Sequence, residues 1–572
     1  MVQPVIGYDR GARAAIEASA ARVMLEAFAR RGVRVAFGIP GGLISPIFDA
    51  MADVPGIQLV TTRHEGMAAF AAMGHTIAVG GPALVLTTGG PGITNAITGI
   101  AAAMAEELPL IVIAGEVPRS AGGRAALQDG SSSGIDVVAM MRTITRWSAR
   151  IDGPEAAAGM AEQAVQIATG PRPGPVFLSV PLDVGSSNAS LPPISFGKPP
   201  PLAAPDPGAC ADIAARLGRA RCPLLVVGNG ARGAAVEVLR LAERLAIPVV
   251  TTPHAKGVFP ESHPLHLGGI GVGGHPSAAE YLAQGPDVVC VVGSRLGDYA
   301  TNGWATPLCG TEATIQIDRD PGAIGRNYPV TLGVVGDAAK ALRAVLAEVP
   351  RAIARPHREV SGIRRVASAA PFCDASLTPE RVFTALQSAF PTAFWAVDQG
   401  EHCAYAIHYL RIDAPDQFRT MVGLASMGSG IGLAIGARNA RRDRPVIGLC
   451  GDGGFAMHAG EVLTCVEHGI DLVLVIMNDG RWNMVHHGFQ AVFGRIPASL
   501  PSRVAELAGV AREFGAVGHL VTGPEHLAPF TLRRLVASGR PVVLDVRIDP
   551  SLALSAASRS AALRAQVAGG VE

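Results

Sequence analysis

The chain has 572 residues, 49% hydrophobic and 17% charged: a length for roughly three to four domains, ample apolar material for their cores, and too little charge for a disordered chain. Its 48 basic and 47 acidic residues nearly cancel, so charge makes no case for nucleic acid or an anionic membrane as partner. Eight scattered cysteines without a CxxC pair point to reduced, cytoplasmic thiols rather than a disulfide scaffold or a zinc site.

Short β-branched runs alternate with alanine-rich stretches along the chain, the pattern of parallel α/β architecture. In the first third, strands are expected at 34–38, 57–60, 83–87, 110–114 and 176–180, and helices at 15–31, 67–79 and 94–106. The proline density of 191–207 reads as an extended linker. The middle third, 208–350, should carry strands at 224–227, 248–251, 288–292 and 314–317. A polar and basic stretch, 351–377, leads into 378–552, with strands at 393–397, 446–450, 472–477 and 541–546. The tail, 553–572, is alanine-rich and peripheral. The apolar runs are strand-sized and too short to span a bilayer. The N-terminus has no apolar core of signal-peptide length, and no short-period repeat appears.

In the last third, Gly451-Asp452-Gly453-Gly454 directly follows one expected strand and Asn478-Asp479-Gly480 the next. Both sit at carboxyl ends of parallel strands, where α/β sheets bind ligands. Mg²⁺ wants an octahedral set of oxygens, from one or two protein groups together with phosphate. Asp452 offers a carboxylate and Asn478 an amide oxygen, and a backbone carbonyl near Gly480 is a candidate third ligand. Gly451, Gly453 and Gly454 would let a diphosphate approach backbone N–H groups closely. The same residues could form two ordinary strand-to-helix turns with Asp452 as a cap. The pairing of two such loops favours the metal site.

Glycine-aspartate-glycine followed two dozen residues later by asparagine resembles the binding motif of thiamine-diphosphate (ThDP) enzymes. Residues 421–438 (MVGLASMGSGIGLAIGAR) resemble the preceding segment of acetolactate synthases. There a methionine at the place of Met427 props the cofactor in its bent shape; by itself Met427 could equally fill a core. In the first third, Thr61-Thr62-Arg63-His64-Glu65-Gly66 resembles the catalytic-glutamate region of the same family. The segments 37–42 (FGIPGG), 87–95 (TTGGPGITN), 108–118 (LPLIVIAGEVP) and 172–183 (RPGPVFLSVPLD) follow in the family's order. A glutamate opening a helix is otherwise an ordinary complement to the dipole. The resemblance implies that Glu65 bonds the pyrimidine ring nitrogen of ThDP, so that the freed amino nitrogen takes the thiazolium C2 proton. Asp398-Gln399-Gly400-Glu401-His402 resembles the diphosphate-binding loop and carries over Gly400 and His402. Glu401 replaces the family's glutamine, and a carboxylate beside a diphosphate is unfavourable unless protonated or turned away.

The resemblance spans about residues 15 to 550. It implies a three-domain ThDP enzyme, two ThDP-binding α/β domains (1–190 for the pyrimidine, 378–552 for diphosphate and Mg²⁺) flanking a Rossmann-like middle domain. The implied reaction is ThDP- and Mg²⁺-dependent decarboxylation of a pyruvate-like 2-oxo acid and coupling of the enamine to a carbonyl acceptor. A non-coupling 2-oxo acid decarboxylase and a non-catalytic ThDP-binding homologue are the alternatives. Residues 116–136 hold no histidine where pyruvate-decarboxylase-like enzymes carry a pair, which favours the carboligase. Family sites straddle two subunits, which implies a homodimer or homotetramer. Gly228-Asn229-Gly230-Ala231-Arg232-Gly233 matches a dinucleotide fingerprint but lacks the acidic residue expected about twenty positions on. Some members bind FAD in this domain, yet Tyr299 stands where the synthases have an arginine, so FAD is left open without support.

The substrate side departs from the synthases. The loop 125–134 keeps Gln128, a catalytic candidate, but has Leu127 in place of phenylalanine and a serine-rich insertion at 131–133. Leu182 replaces a lysine and Gly488 a pocket tryptophan. His486 and His487 are candidate acid–base groups or anion ligands near the cofactor, or else a packing pair. Together these changes imply a different acceptor, one larger than pyruvate being a candidate.

Overall fold

The computed structural model describes residues 16–191, 204–304, 306–349, 362–366, 377–500, 503–554 and 563. The chain divides into two compact units, Met1–Pro200 and Pro201–Glu572. Most of the expected linkers and tail, 191–207, 351–377 and 553–572, lies outside the described residues.

The strands of the first unit are β1 (Ile16–Ser19), β2 (Val35–Gly38), β3 (Gln58–Thr61), β4 (Ala83–Thr87), β5 (Leu110–Glu116), β6 (Trp147–Arg150), β7 (Val176–Pro181) and β8 (Asn188–Leu191). Strands β2 to β7 form a six-stranded parallel sheet in the order 3-2-4-5-7-6. Its middle strands are buried at every residue, because helices cover both faces and an unbroken apolar run is then required. The helix expected at 15–31 begins only at Ala20. Its first residues instead form β1, paired antiparallel with β8 from Ile16 opposite Leu191 to Ser19 opposite Asn188. Leu191 is therefore strand rather than linker, and Pro207, also assigned to the linker, opens the Pro207–Arg219 helix behind an Asp206 cap.

The second unit holds two more parallel sheets. The first contains β9 (Pro223–Val227), β10 (Val249–Thr251), β11 (His266–Gly269), β12 (Val288–Val292), β13 (Ala313–Asp318) and β14 (Leu332–Val335), in the order 11-10-9-12-13-14. Numbered from its own first strand this is 3-2-1-4-5-6, the Rossmann order. The second contains β15 (Phe394–Val397), β16 (Phe418–Thr420), β17 (Val446–Gly451), β18 (Val473–Asn478), β19 (Val517–Val521) and β20 (Val542–Arg547), in the order 16-15-17-18-20-19. Renumbered, it reads 2-1-3-4-6-5, and so does the parallel sheet of the first unit.

A buried polar network ties the two sheets of the second unit together through the Glu401–Tyr409 helix. Lys256 Nζ donates to the Ile407 carbonyl at 2.7 Å and pairs with Glu261. Arg365 Nε donates to the His408 carbonyl at 2.9 Å, and the His275 and His408 rings stack at 4.6 Å. Burial holds both rings below the usual histidine range, so they serve as neutral hydrogen-bonding groups. This anchors the helix whose first turn carries Glu401 and His402.

Candidate active site

In the first unit the chain leaves β3 through Thr62 and turns into the Glu65–Val79 helix. His64 caps that helix, its Nδ1 accepting the Gly66 N–H at 3.0 Å. Glu65 is the first helical residue and only 8% exposed. Small residues let the next helix, Pro91–Ala105, come close. A Cβ on Gly99 would stand 2.5 Å from Ala69 Cβ and 2.8 Å from the Gly66 carbonyl oxygen. That approach brings Asn95 Nδ2 to Glu65 Oε2 at 3.1 Å. Glu65 is thus a buried carboxylate at the carboxyl end of a parallel strand, with one oxygen held by an amide.

Gln128 lies over the turn that follows β4. Its φ is +61°, and a Cβ on Gly90 would fall 2.9 Å from its own Cβ, so the Gln128 loop sits on a glycine floor. Gly92, at the start of the helix after that turn, approaches Glu65 Oε1. The fold therefore gathers Glu65, Asn95 and Gln128 at one end of the sheet. Leu127 is 86% exposed in this unit.

In the second unit β17 and β18 are neighbours, with Gly451 paired to Met477, so Asp452 and Asn478 leave adjacent strand ends together. Asp452 opens the Asp452–His458 helix, its Oδ1 accepting the Gly453 N–H at 2.8 Å. Burial raises its carboxyl. Burial, and after it the neighbouring Asp452, push Asp479 up to about 7. Asn478 is buried, and its Oδ1 accepts the Gly480 N–H at 3.2 Å. Gly480 needs to be glycine: φ is +75°, and a Cβ there would lie 2.4 Å from Val504 Cγ2. The other glycines admit protein side chains. Cβ positions on Gly451, Gly453 and Gly454 would face His402 at 3.3 Å, Trp482 Nε1 at 2.7 Å and Asp398 Oδ2 at 2.6 Å.

Asp398 organises the remaining loops. Fully buried after β15, it accepts from Gly428 N at 2.8 Å, Ser429 Oγ at 3.1 Å and Gly430 N at 3.1 Å, satisfying the first donors of the Ser429–Ala440 helix. Burial lifts its carboxyl to about 6 against the pull of those donors. Met427 sits just before this anchored turn and is 49% exposed, so it is no core filler. His402 is buried against Gly451 with burial drawing its ring down to about 4, and its Nε2 has no partner among the described residues. Glu401 Oε1 lies 2.9 Å from His487 Nδ1, which ties the Asn483–Phe493 helix to the Gly400 loop. Neighbouring His486 is buried, and neither ring nitrogen has a hydrogen-bond partner among the described residues. Gly488 faces open space.

The fingerprint glycines of the middle sheet are used for backbone packing. Cβ positions on Gly228 and Gly230 would lie 2.2 and 3.0 Å from the Gly293 oxygen and Cα. Arg232 is turned inward onto the carbonyls of His254, Pro415 and Phe418. Tyr299 packs on the core of the last sheet.

The donor set fits a cation held jointly with a phosphate. Among the described residues no three His, Cys, Asp or Glu side chains form a metal cage. The Asp452 carboxylate and the Asn478 amide oxygen instead leave the remaining positions to backbone and ligand oxygens, the arrangement Mg²⁺ favours. Reading the sequence did not single out Asn95, Asp398 or Asp545, although Asn95 and Asp398 lie inside quoted motifs.

Residues 18–140 match the thiamine pyrophosphate enzyme N-terminal TPP binding domain, 210–345 the central domain and 398–546 the C-terminal TPP binding domain. The chain is 32% identical over 555 residues to a protein named probable acetolactate synthase large subunit from Methanocaldococcus jannaschii, covering 93% of this chain and 92% of that one. It is 32% identical over 561 residues to the acetolactate synthase large subunit of Parasynechococcus marenigrum, covering 95% and 89%. It is 31% identical over 548 residues to the acetolactate synthase of Arthrospira platensis, covering 92% and 93%. With all three domain models in order and relatives matched along nearly their whole length, the chain belongs to the thiamine pyrophosphate enzymes and is an acetolactate-synthase-like member of that family.

Proposed function

We propose that the protein is a ThDP- and Mg²⁺-dependent carboligase that decarboxylates a pyruvate-like 2-oxo acid and joins the remaining fragment to a carbonyl acceptor. Glu65 carries this reading: it is a buried carboxylate at a strand end whose orientation Asn95 fixes. Bound ThDP supplies the electron sink for the carbanion left when CO₂ departs. Glu65 would hold a proton at the pyrimidine ring nitrogen, with Asn95 keeping its carboxylate in place. Asp452, Asn478 and the backbone at Gly480 would hold Mg²⁺ against the diphosphate, with Gly451, Gly453, Gly454, Gly400 and His402 around it and Met427 at the bend. Gln128 and Leu127 would face substrate, and buried His486, neither of whose ring nitrogens has a partner among the described residues, would meet the acceptor. His487 is committed to Glu401.

Domain limits at 1–190, 208–350 and 378–552 suit this reading, as does a homodimer or homotetramer in which Glu65 and the metal loops of one site come from different subunits. The free thiols of the described cysteines support a cytoplasmic enzyme. Among the described residues no helix is long and apolar enough to cross a membrane.

The test is incubation with ThDP, Mg²⁺ and pyruvate, with and without a panel of aldehyde and ketone acceptors. CO₂ and coupled product are followed together by mass spectrometry. Coupled product that needs a second acceptor supports a carboligase with an altered acceptor pocket. Acetolactate from pyruvate alone supports an ordinary synthase, and aldehyde without coupling overturns the carboligase in favour of a decarboxylase.

A further inference from the structure

An asparagine side chain presents a carbonyl oxygen on one side and an amino group on the other, and its shape barely distinguishes them. Only an oxygen can serve a cation, so something must hold Asn478 the right way round. Both hydrogens of its Nδ2 have partners: Asp545 Oδ1 at 2.7 Å and the Ala505 carbonyl at 3.1 Å. A carboxylate and a backbone carbonyl are acceptors and cannot donate to the oxygen of a reversed amide. Oδ1 must therefore face the opposite side, toward the Gly480 N–H and the Asp452 loop.

Asp545 is itself held without freedom. It is 0% exposed, on β20 opposite Ile476 of β18. Its Oδ2 accepts from Leu507 N at 2.7 Å, Ala508 N at 3.3 Å and Arg547 Nη2 at 3.0 Å. Arg547 Nη2 also donates to the Ala505 carbonyl at 2.8 Å, fixing the second acceptor as well. Four donors from three elements thus converge on one carboxylate, keeping Oδ1 available for Asn478.

We propose that Asp545 is a positioning residue for the metal site: it sets the orientation of the Asn478 amide and so presents Oδ1 to Mg²⁺. This rests on the reading of Asn478 as a metal ligand. The role is that of an outer partner, whose loss characteristically weakens metal binding while the ligands stay in place.

The experiment is calorimetric titration of Mg²⁺ into metal-depleted, full-length protein at saturating ThDP. Trp482 fluorescence, from the indole against Gly453, gives a second readout. In Asp545→Asn the new amide can turn an N–H toward Asn478 and let it reverse. Mg²⁺ affinity should fall roughly 10–100-fold. Asn478→Asp sets two carboxylates against each other and should also bind weakly. The exchange N478D/D545N puts an acceptor opposite a donor again and should recover most of the loss, which a merely structural defect at Asp545 would not allow. Wild-type Mg²⁺ affinity in Asp545→Asn overturns the proposal, as does an exchange variant no better than the two single variants, or an Asn478→Asp variant that already binds as well as the exchange. Asn478→Ala separates the two ideas. If it binds Mg²⁺ normally, the ligand reading fails and the proposal with it. If it loses Mg²⁺ while Asp545→Asn keeps it, only the positioning role fails.

Discussion

His487→Ala tests how the chain tolerates a glutamate in the loop proposed to hold the diphosphate. Glu401 is in the first turn of the Glu401–Tyr409 helix, where the helix dipole favours an anion. Its side chain is 11% exposed and that of His487 24%, so the 2.9 Å bond between them is more sheltered than a surface pair. A hydrogen bond to a carboxylate contributes about 1.5–3 kcal/mol, and residual solvent screening places this one at the lower end. About 1.5 kcal/mol corresponds to roughly tenfold in affinity. Removing His487 frees the Glu401 carboxylate to face the incoming diphosphate, so the dissociation constant for ThDP at fixed Mg²⁺ should rise about tenfold. Glu401→Gln made in the His487→Ala protein removes the charge and should restore affinity. Titration calorimetry of ThDP into the apoprotein measures all three proteins. Unchanged affinity in His487→Ala, or a double variant no better than that single one, would refute the reasoning, because the pair would then be a surface tether without bearing on the cofactor.

Glu65→Gln should lower the rate of CO₂ release by roughly 10²–10⁴-fold, with ThDP affinity by calorimetry nearly unchanged; full function of this variant in cells would remove catalysis as the role of the site. Gly99→Val overfills the seam between the Glu65–Val79 and Pro91–Ala105 helices, where Ala69 and the Gly66 carbonyl already crowd the position. It should cost about 1–3 kcal/mol in denaturant unfolding and also lower activity by shifting Asn95 off Glu65. His75, buried beside Phe37, has its ring drawn from 6.5 down to about 4 by burial. Because the folded value is depressed, the stability this neutral ring permits is present above pH 6.5 and is lost as pH falls through 4. Between pH 7 and pH 5 the loss should be about 2 kcal/mol. Denaturant titrations of His75→Leu should show a smaller decline over that interval, and equal declines in the two proteins would refute it.

The central strands were legible because a strand covered on both faces needs an unbroken apolar run. Residues 83–87 and 288–292 emerge as β4 and β12 with the expected limits. Apart from β3, expected at 57–60, the edge strands were not. Phe418–Thr420 has three residues, and Trp147–Arg150 is half-buried throughout, so neither leaves an apolar signature. Ile16–Ser19 fails for another reason: the segment IEAS suits a helix locally, and a partner near residue 190 overrides that preference. The site divides along the same line. Glu65, Asp452 and Asn478 stand at strand ends inside recognisable motifs. Their partners are set by pairings remote in sequence: Asn95 lies 30 residues from Glu65 and Asp545 lies 67 from Asn478. Nothing local marks a buried acid as the group that turns an amide.

The parallel sheet of the first unit and the last sheet of the second share the order 2-1-3-4-6-5, yet the chain shows no sequence repeat. Parallel topology constrains little beyond where apolar runs and glycine turns fall, so two such sheets can diverge everywhere else. What differs is which strand end bears the chemistry. In the first unit the carboxylate follows the second strand, and a glycine turn after the third admits the Gln128 loop. In the last sheet, acids follow the first and third strands and an asparagine the fourth. The first arrangement places one carboxylate beside an amide, suited to holding a single proton. The second concentrates negative charge and oriented amide oxygen, suited to a cation. On the proposed reading, one scaffold used twice supplies the two kinds of group that a cofactor with a basic ring at one end and a diphosphate at the other requires.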